Sequence, residues 1–160
     1  GLSTMVYRYA GRIQSMEYKT LRYPGHARIM EAIRDLGLLG NQAIEVKGQQ
    51  VVPRDVFVRV AGDKLQKRKP DLVALRVVVT GMNAGVMSTR AWEVVDYYDA
   101  KLGITAMMRS TGYTLSITSQ LQATKVIAPG VHTPDECVPA VRYFEELAKR
   151  GVMVREIGAA

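Results

Sequence analysis

The stretch LVALRVVVTGMNAGVMSTRAWEVVDYY, residues 72–98, decides the fold class of this chain. Its first part, Leu72 to Thr80, is mostly apolar and β-branched, which favours a strand. Met82-Asn83-Ala84-Gly85 supplies turn residues, and side chains of different polarity then alternate from Thr89 to Tyr98. One face of this second run carries Trp92, Val94, Asp96 and Tyr98. The stretch therefore predicts a long antiparallel hairpin.

The residues before this hairpin predict strands first and then a helix. Met5 to Leu21 places apolar side chains on both sides of Ala10-Gly11, which predicts two short strands joined by a turn. After Pro24-Gly25 the apolar residues recur at helical spacing, as Ile29, Met30, Ile33 and Leu36. Gly37 stands where a helix C-terminus favours a left-handed residue, so the helix is predicted to end there.

Two smaller elements are predicted between that helix and the long hairpin. Ile44 to Val52 has apolar flanks around Lys47-Gly48, which is typical of a small hairpin. Pro53-Arg54-Asp55 then resembles the opening turn of a short helix. The residues from Val56 to Val60 are mostly β-forming and weigh against that helix.

A helix is predicted directly after the long hairpin, from Ile104 to about Val126. Gly112 lies inside it and costs roughly 1 kcal/mol relative to alanine, so a glycine at this position needs a reason. Two reasons are open. The glycine permits close approach either of a ligand or of a crossing helix.

The chain is predicted to end with a second long helix, Thr133 to Arg150, and a closing strand. The helix starts with a capping-box pattern of Thr133, Pro134 and Glu136 and stops at Gly151. Pro139 removes an interior backbone donor and is expected to bend or delay the helix. The apolar residues of the final segment, Val152, Val154 and Ile157, predict the strand.

The order of these elements gives the fold class. Strands, a helix, a small hairpin, a long hairpin, two helices and a strand predict an α+β fold, with a mainly antiparallel sheet and helices packed on one face. The chain has 160 residues, of which 48% are hydrophobic and 23% charged, as in an ordinary folded domain. No linker or internal repeat is visible, so residues 1–160 are expected to form a single domain.

Composition excludes several classes of protein and of site. Even the richest apolar stretch, Leu72 to Val79, is shorter than the ~18 to 20 residues of a membrane-spanning helix and contains Arg76, so no membrane partner is expected. Cys137 is the only cysteine, which excludes an intramolecular disulfide and fits a reducing cytoplasm. A lone cysteine on a helix is more often inert packing than a reactive thiol. His26 and His132 have no second ligand at a metal-binding spacing, so no metal is expected.

The net charge of +7 raises the question of a nucleic-acid partner. The one basic cluster consists of Lys64, Lys67, Arg68 and Lys69, beside Pro70. No aromatic residues interleave with it, as a base-stacking surface would require. The cluster therefore predicts a solvated loop and no nucleic-acid partner, and steeply salt-dependent binding would show the opposite.

Two segments are candidates for a binding site. In Thr20 to His26, TLRYPGH, Arg22 lies at the end of a predicted strand, and Pro24-Gly25 leads into a helix whose free amide groups favour an anion. An arginine fork beside a helix start suits a carboxylate. The alternative is an Arg22 ion pair with a surface glutamate and a plain turn. In the second segment, Met108 to Tyr113, Arg109 and Thr111 offer polar groups beside Gly112.

At these two segments the sequence resembles one family, the saccharopine dehydrogenase and lysine 6-dehydrogenase group of amino-acid oxidoreductases. The matching pieces are Met16 to His26, Arg34 to Leu39, Asp96 to Asp99, Gly103 to Met107, Arg109 to Tyr113 and Pro129 to Val131. They cover nearly the whole chain in the family's order. The family often has proline after the Gly-aromatic pair, whereas Thr114 follows Tyr113 here.

The resemblance implies a particular division of labour. In that family an N-terminal Rossmann domain binds NAD or NADP, and a following α+β domain binds the amino-acid substrate and forms the dimer. This chain resembles only the second part and lacks the glycine fingerprint, so the cofactor domain is expected upstream and the chain alone is expected to be inactive. The implied reaction is reversible oxidation of a C–N bond on an amino acid such as lysine or saccharopine, with hydride passing to the nicotinamide.

The resemblance also implies roles for individual residues. Arg22 would bind a substrate carboxylate, with Tyr23, Gly25 and His26 shaping the same pocket. Thr111 and Gly112 would line the opposite wall at the cofactor face. No general base follows from these residues, so the catalytic residues stay unassigned.

A second function is open beside this one. A domain of the same fold that has lost catalysis would serve as a ligand-sensing or oligomerisation module. In either case the long hairpin is expected to expose an apolar face and to favour self-association, most simply as a homodimer.

Overall fold

The computed structural model describes residues 2–65 and 70–158 of the chain. Backbone contacts divide the chain into two compact units, Gly1–Arg68 and Lys69–Ala160, and each is described by itself. Unit 1 denotes residues 2–65 and unit 2 denotes residues 70–158. Of the predicted basic cluster, Lys67, Arg68 and Lys69 lie outside the described residues. The single domain expected for residues 1–160 stays a prediction.

Unit 1 contains helices and one small hairpin in its described residues. They are α1 (Met5–Arg8), α2 (His26–Asp35), β1 (Ile44–Val46), β2 (Gln49–Val51) and α3 (Pro53–Leu65). Helix α2 confirms the prediction and ends as Gly37 indicates. Gly37 has φ +79°. Its N–H donates to the carbonyl of Arg34 (2.8 Å), and the N–H of Leu38 donates to that of Ile33 (3.1 Å). These two bonds form a Schellman motif, which satisfies the last carbonyls of the helix.

The small hairpin and the helix after it are also confirmed. Lys47 (φ 51°) and Gly48 (φ 79°) both have positive φ, as a two-residue type I′ turn requires. Helix α3 begins at Pro53 but runs for 13 residues, through the β-forming stretch. A β-forming side chain favours a strand only where a sheet surface exists to receive it, and β1 and β2 pair only with each other in the described part of unit 1.

The two strands predicted from Met5 to Leu21 are wrong. The segment forms the short helix α1 and then irregular backbone, with no strand in the described residues from 9 to 25. Its hydrogen bonds are local: the N–H of Tyr9 donates to the carbonyl of Met5 (2.9 Å) and that of Arg12 to the carbonyl of Tyr9 (3.0 Å). Tyr7 and Leu21 are each 85% exposed, so the apolar alternation has no buried face to occupy.

Unit 2 contains one antiparallel sheet and three helices in its described residues. The strands are β3 (Leu72–Asn83), β4 (Val86–Tyr97) and β5 (Arg155–Ile157), in the order β3-β4-β5. The helices are α4 (Ala106–Ala123), α5 (Pro134–Cys137) and α6 (Ala140–Lys149). The long hairpin, the helix after it and the closing strand are confirmed, and so is the α+β class.

The long hairpin is continuous from its open end to its turn. Leu72 lies opposite Tyr97, and the pairing runs without interruption to Asn83 opposite Val86. Ala84 (φ 50°) and Gly85 (φ 83°) close it as a second type I′ turn. The alternation in β4 places Val94 and Asp96 on the face that the helices cover, because Val94 packs on the hydrophobic core and Asp96 bonds to α4.

The predicted continuous helix from Thr133 to Arg150 is wrong, because it breaks at Pro139. Val138 is extended (ψ 116°) and separates α5 from α6. Proline excludes the helical conformation at the residue before it and has no N–H to donate, so Pro139 ends one helix and caps the next. At the start of α5, the N–H of Thr133 donates to the Glu136 carboxylate (3.3 Å), as the capping-box pattern predicts.

The core of unit 2 lies between the helices and β4. The buried cluster consists of Ile117, Leu121, Ile127, Leu147 and Val152, with Val94 and Tyr113 packed against it. Ile117 is fully buried at 0% exposure. No helix in residues 2–65 or 70–158 is both long and apolar enough to cross a bilayer.

Candidate functional site

The predicted anion-binding segment lies at the start of α2 in unit 1. Arg22 and Tyr23 are exposed in irregular backbone, so Arg22 does not stand at a strand end. Gly25 is the N-cap residue with φ +87°. His26 is the first helical residue, and its N–H donates to the carbonyl of Tyr23 (3.1 Å). Glycine adopts this φ without strain. The conformation of Gly25 therefore sets the direction from which the preceding residues, Arg22 and Tyr23, enter the helix.

The start of α2 is open to an anion. Its first turn contains no acidic residue, and no side chain caps it. Free amide groups and the positive end of the helix dipole therefore remain available to a ligand. Within residues 2–65 no carboxylate pairs with Arg22, so the alternative of a surface ion pair is not observed. Arg22 stands beside the helix start as an exposed cation without a counter-ion in unit 1.

The start of α4 in unit 2 is closed by contrast. The two carboxylate oxygens of Asp71 accept from the N–H groups of Ala106 (2.7 Å) and Met107 (3.1 Å). The Thr105 hydroxyl accepts from the N–H of Met108 (3.0 Å). These bonds satisfy most of the amide groups that a helix start leaves free. The carboxylate just before β3 therefore ties the sheet to α4 and leaves no room for an external anion.

Arg109 is the centre of a buried polar cluster that holds α4 in place. Its Nε donates to Asp96 (2.9 Å) and its Nη1 donates to Asp99 (3.0 Å). Its Nη2 donates to the carbonyl of Arg150 (3.1 Å), and the guanidinium lies 5.2 Å from the centre of the Tyr113 ring. Arg109 is 8% exposed and Asp96 is 6% exposed. The cluster thus connects α4 to β4, to the loop after β4 and to the end of α6.

The electrostatics of this cluster keep Arg109 charged. The hydrogen bond to Asp96 raises the pKa of Arg109, against the opposing effect of burial. A buried guanidinium with two carboxylate partners is stable only while those partners remain. Arg109 is therefore a structural residue, and it does not offer polar groups to a ligand as the sequence predicted.

The outer face of α4 carries the other two predicted residues. Thr111 and Gly112 are exposed, and they lie between Met108 (49% exposed) and Leu115 (70% exposed). A Cβ added to Gly112 would meet no atom within 4 Å in unit 2. No helix of unit 2 crosses α4 at this glycine, so the crossing-helix explanation fails there. The face is accessible and carries the apolar side chains of Met108 and Leu115 beside the hydroxyl of Thr111.

The structure groups the predicted site residues by unit. Arg22, Tyr23, Gly25 and His26 lie together in unit 1, and Thr111 and Gly112 lie together in unit 2. Their meeting in one pocket stays a prediction.

Sequence reasoning missed the residues that position α4. Asp71 accepts a hydrogen bond from Ala106, 35 positions away, and Asp99 accepts one from Arg109, 10 positions away. No local sequence pattern marks these pairs. Asp96 carried a signal, because it stands on the inward face of an otherwise apolar alternation, where a carboxylate needs a buried partner.

One cavity in unit 2 is lined by His132 and Cys137, the residues considered above as a metal ligand and a reactive thiol. It has a volume of about 450 Å³, and Lys125, His132 and Cys137 are among its lining residues. Cys137 is half-buried and packs against the hydrophobic core, which agrees with a packing role. Among residues 2–65 and 70–158, no three His, Cys, Asp or Glu side chains lie close enough to hold a metal ion.

A family model described as the saccharopine dehydrogenase C-terminal domain matches residues 2–152. The match includes the start of α2, the long hairpin and the whole of α4. It confirms the resemblance that the sequence segments carry.

Proposed function

The chain belongs to the saccharopine dehydrogenase C-terminal domain family, and on that premise we propose that it binds the substrate of an amino-acid oxidoreductase and forms its dimer. The family implies a dehydrogenase-like domain. The proposed reaction is NAD- or NADP-dependent oxidation of a C–N bond on an amino acid of the lysine or saccharopine type.

One observation carries the substrate class. Arg22 is an exposed cation without a counter-ion in unit 1, beside a helix start that lacks both acidic residues and a capping side chain. A guanidinium and helix amides together bind a carboxylate with charge-assisted hydrogen bonds. Every amino-acid substrate has such a carboxylate. Tyr23 and His26 are proposed to contact the rest of the molecule.

We propose the following roles in the reaction. NAD or NADP, when bound, would supply the hydride acceptor, so that oxidation of the substrate C–N bond would give an imine and a proton. Water then hydrolyses the imine to a carbonyl compound and an amine. Arg22 holds the carboxylate and so orients the carbon that loses hydride. The outer face of α4, with Thr111 and Gly112, is proposed to lie towards the cofactor.

The cofactor itself is proposed to bind mainly to a separate Rossmann domain. The sequence has no G-x-G-x-x-G fingerprint of the dinucleotide-binding kind. The start of α4 does not replace such a loop, because Asp71 already occupies its amide groups and would repel a pyrophosphate. A reducing, cytoplasmic location is proposed on the single cysteine.

Calorimetric titration of the complete protein tests the carboxylate site. Lysine and saccharopine are titrated in the presence of NAD or NADP, with wild type, Arg22→Ala and Arg34→Ala. Arg34 lies at the far end of the same helix and is exposed, so its loss removes the same charge away from the site. We expect Arg22→Ala to weaken binding by ~10- to 100-fold and Arg34→Ala to leave it unchanged.

A ligand without the carboxylate provides the second control. Diaminopentane keeps both amino groups of lysine, so its binding should not respond to Arg22→Ala. Equal responses to lysine and diaminopentane would contradict the carboxylate role. Binding of an amino acid without any nicotinamide reduction would instead favour the ligand-sensing module.

A further inference from the structure

Strand β3 has a free edge. It is an outer strand of the sheet, because β4 lies between β3 and β5. One side of β3 therefore pairs with β4, and within unit 2 the backbone groups on its other side have no strand to pair with. Such an edge can add a strand from another chain.

The hydrogen-bonding pattern shows which residues face that edge. The two-residue turn at Ala84-Gly85 makes Asn83 and Val86 a hydrogen-bonded pair, and such pairs recur at every second residue. The N–H of Tyr98 donates to the carbonyl of Asp71 (2.9 Å), which fits the same alternation at the open end. Odd-numbered residues of β3 thus bond to β4. The residues that present their N–H and C=O groups to the free edge are Leu72, Ala74, Arg76, Val78, Thr80 and Met82.

This edge lacks the features that keep edge strands apart. It is 12 residues long and contains no proline and no lysine. Its pairing with β4 has no bulge. Arg76 is its one charged residue. The guanidinium points away from the free edge and towards β4, where Nε and Nη2 donate to Glu93 Oε2 at 3.1 and 2.7 Å. A long, regular edge of this kind associates unless it is covered.

Apolar side chains accompany the free edge on both faces of the sheet. Six large apolar side chains of β3 are between 46% and 66% exposed: Leu72, Leu75, Val77, Val78, Val79 and Met82. At roughly 100 Å² each they expose on the order of 600 Å² in total, divided between the two faces of the sheet. The β4 residues Val86, Met87, Val95 and Tyr97 are exposed as well.

We propose that β3 pairs antiparallel with β3 of a second copy of this chain, so that two sheets join into one of six strands. This inference rests on the dimer of the proposed function and names its interface. An antiparallel pair of identical strands has two-fold symmetry, and the same edge then serves both copies. The strand order across the dimer is β5-β4-β3-β3-β4-β5, with every neighbour antiparallel.

The edge also specifies the register. Only even-numbered residues of β3 present N–H and C=O groups to the free edge. The possible registers of the two strands therefore differ by steps of two residues. Full overlap from Leu72 to Met82 places the two-fold axis at Val77, where Arg76 faces Val78 of the second copy. Centring on Arg76 would instead place the two Arg76 residues opposite each other, and like charges at such a pair are destabilising. Each copy also brings Glu93 as the counter-ion of its own Arg76.

Disulfide trapping tests this register in the complete protein. Cys137, the only cysteine, is first replaced in Cys137→Ser. Val77→Cys then places two thiols opposite each other in a non-hydrogen-bonded pair, whose Cα separation of ~4.5 Å suits a disulfide. Val79→Cys is the matched control, since it is similarly exposed but would face Leu75 of the second copy. We expect oxidation to give a covalent dimer with Val77→Cys and almost none with Val79→Cys.

The outcomes separate the interface from the proposed function. Equal trapping at both positions, or none while light scattering still shows a dimer, would overturn the β3 interface and leave the dimer to another surface. A monomer at all concentrations would overturn both the interface and the dimer, while the Arg22 titration would still decide the substrate site.

A proline at the edge gives a second, independent measurement. Val78→Pro removes an N–H that faces the free edge and no hydrogen bond to β4, so the hairpin should keep its fold. Val78→Ala keeps the N–H and is its control. We expect Val78→Pro to raise the dimer dissociation constant by at least tenfold over Val78→Ala, with unchanged circular dichroism. A folded Val78→Pro protein that dimerises as strongly as Val78→Ala would overturn the proposal.

Discussion

Units 1 and 2 both contain regular helices and hairpins, but only unit 2 has buried residues on which they pack. Every buried residue of the described chain belongs to unit 2, where Ile117 and Leu147 lie in the core and Arg109 bonds to Asp96. No residue from 2 to 65 is buried, although α2 has a well-formed end and β1-β2 a regular turn. The elements of unit 1 thus have caps and turns but no buried residues, whereas those of unit 2 also pack on a core.

The difference also bears on the proposed site. Arg22 and the open start of α2 belong to the unit without a core, and the closed start of α4 belongs to the unit with one. A ligand that binds only the ordered form of α2 stabilises that form by mass action. Substrate is therefore expected to order unit 1 more than unit 2.

The largest expected effect is the loss of a buried side chain from unit 2. Ile117→Ala should lower the free energy of unfolding by ~4 kcal/mol, because Ile117 is 0% exposed and its removal leaves a cavity. Ile29→Ala in α2 removes the same atoms from a residue that is 63% exposed and should change it by under ~0.5 kcal/mol. Urea unfolding is followed by far-ultraviolet circular dichroism, which reports on the helices of both units, and by Trp92, the only tryptophan, which reports on β4 of unit 2. Equal losses from the two variants would remove the distinction between the units.

The Arg109 cluster gives the next largest effect. Arg109→Met leaves Asp96 buried without its cation and should cost ~3 kcal/mol in the same urea assay. Arg142→Met, at an exposed position of α6, is the control and should cost little. The double variant Arg109→Met/Asp96→Asn should recover part of the loss, because it removes the unpaired charge. No recovery would show that Asp96 is not the group left unsatisfied.

The fold was predictable wherever the pattern is local. The long hairpin follows from alternation and a turn within residues 72–98, and the end of α2 follows from Gly37. Alternation between Met5 and Leu21 was misleading because it does not show whether a partner strand exists. The sequence shows that Pro139 lacks a backbone N–H, which predicts a bend in the helix. It does not show that Val138 becomes extended and so separates two helices. The Arg109 cluster joins residues 96–113 to the carbonyl of Arg150, 41 positions from Arg109, which no short window of sequence contains.

Two glycines should respond with opposite signs. Gly25→Ala forces a side chain into φ +87° and should destabilise the start of α2 by ~1 to 2 kcal/mol, seen as faster hydrogen exchange in α2. Gly112→Ala adds a methyl group in open space on α4 and should stabilise unit 2 by up to ~1 kcal/mol in the Trp92 assay. If Gly112→Ala also weakens substrate binding, the outer face of α4 contributes to the site. A destabilising Gly112→Ala would mean that the glycine is needed for the fold.

The smallest expected effect is the pH-dependent contribution of Glu146, on α6, to the melting temperature. Hydrogen bonds from Lys149 and Arg150 lower the pKa of Glu146 from its usual 4.5. A lowered pKa stabilises the fold above the unfolded value, and this contribution is lost as the pH falls through the folded value. Glu146→Gln should therefore slightly lower the melting temperature at neutral pH, and the difference from wild type should shrink below about pH 4. A difference that grows on acidification would contradict this sign.

The Asp71 contact has a consequence for the order in which unit 2 folds. Pairs added to the hairpin outward from Asn83-Val86 would each close only a short additional loop. The hydrogen bonds that Asp71 accepts from Ala106 and Met107 instead join residues 35 and 36 positions apart. Contacts between distant residues form late and slow the folding reaction. The hairpin is therefore expected to be in place in the folding transition state before α4 docks. An Asp71→Ala variant should then unfold faster while folding at nearly the wild-type rate.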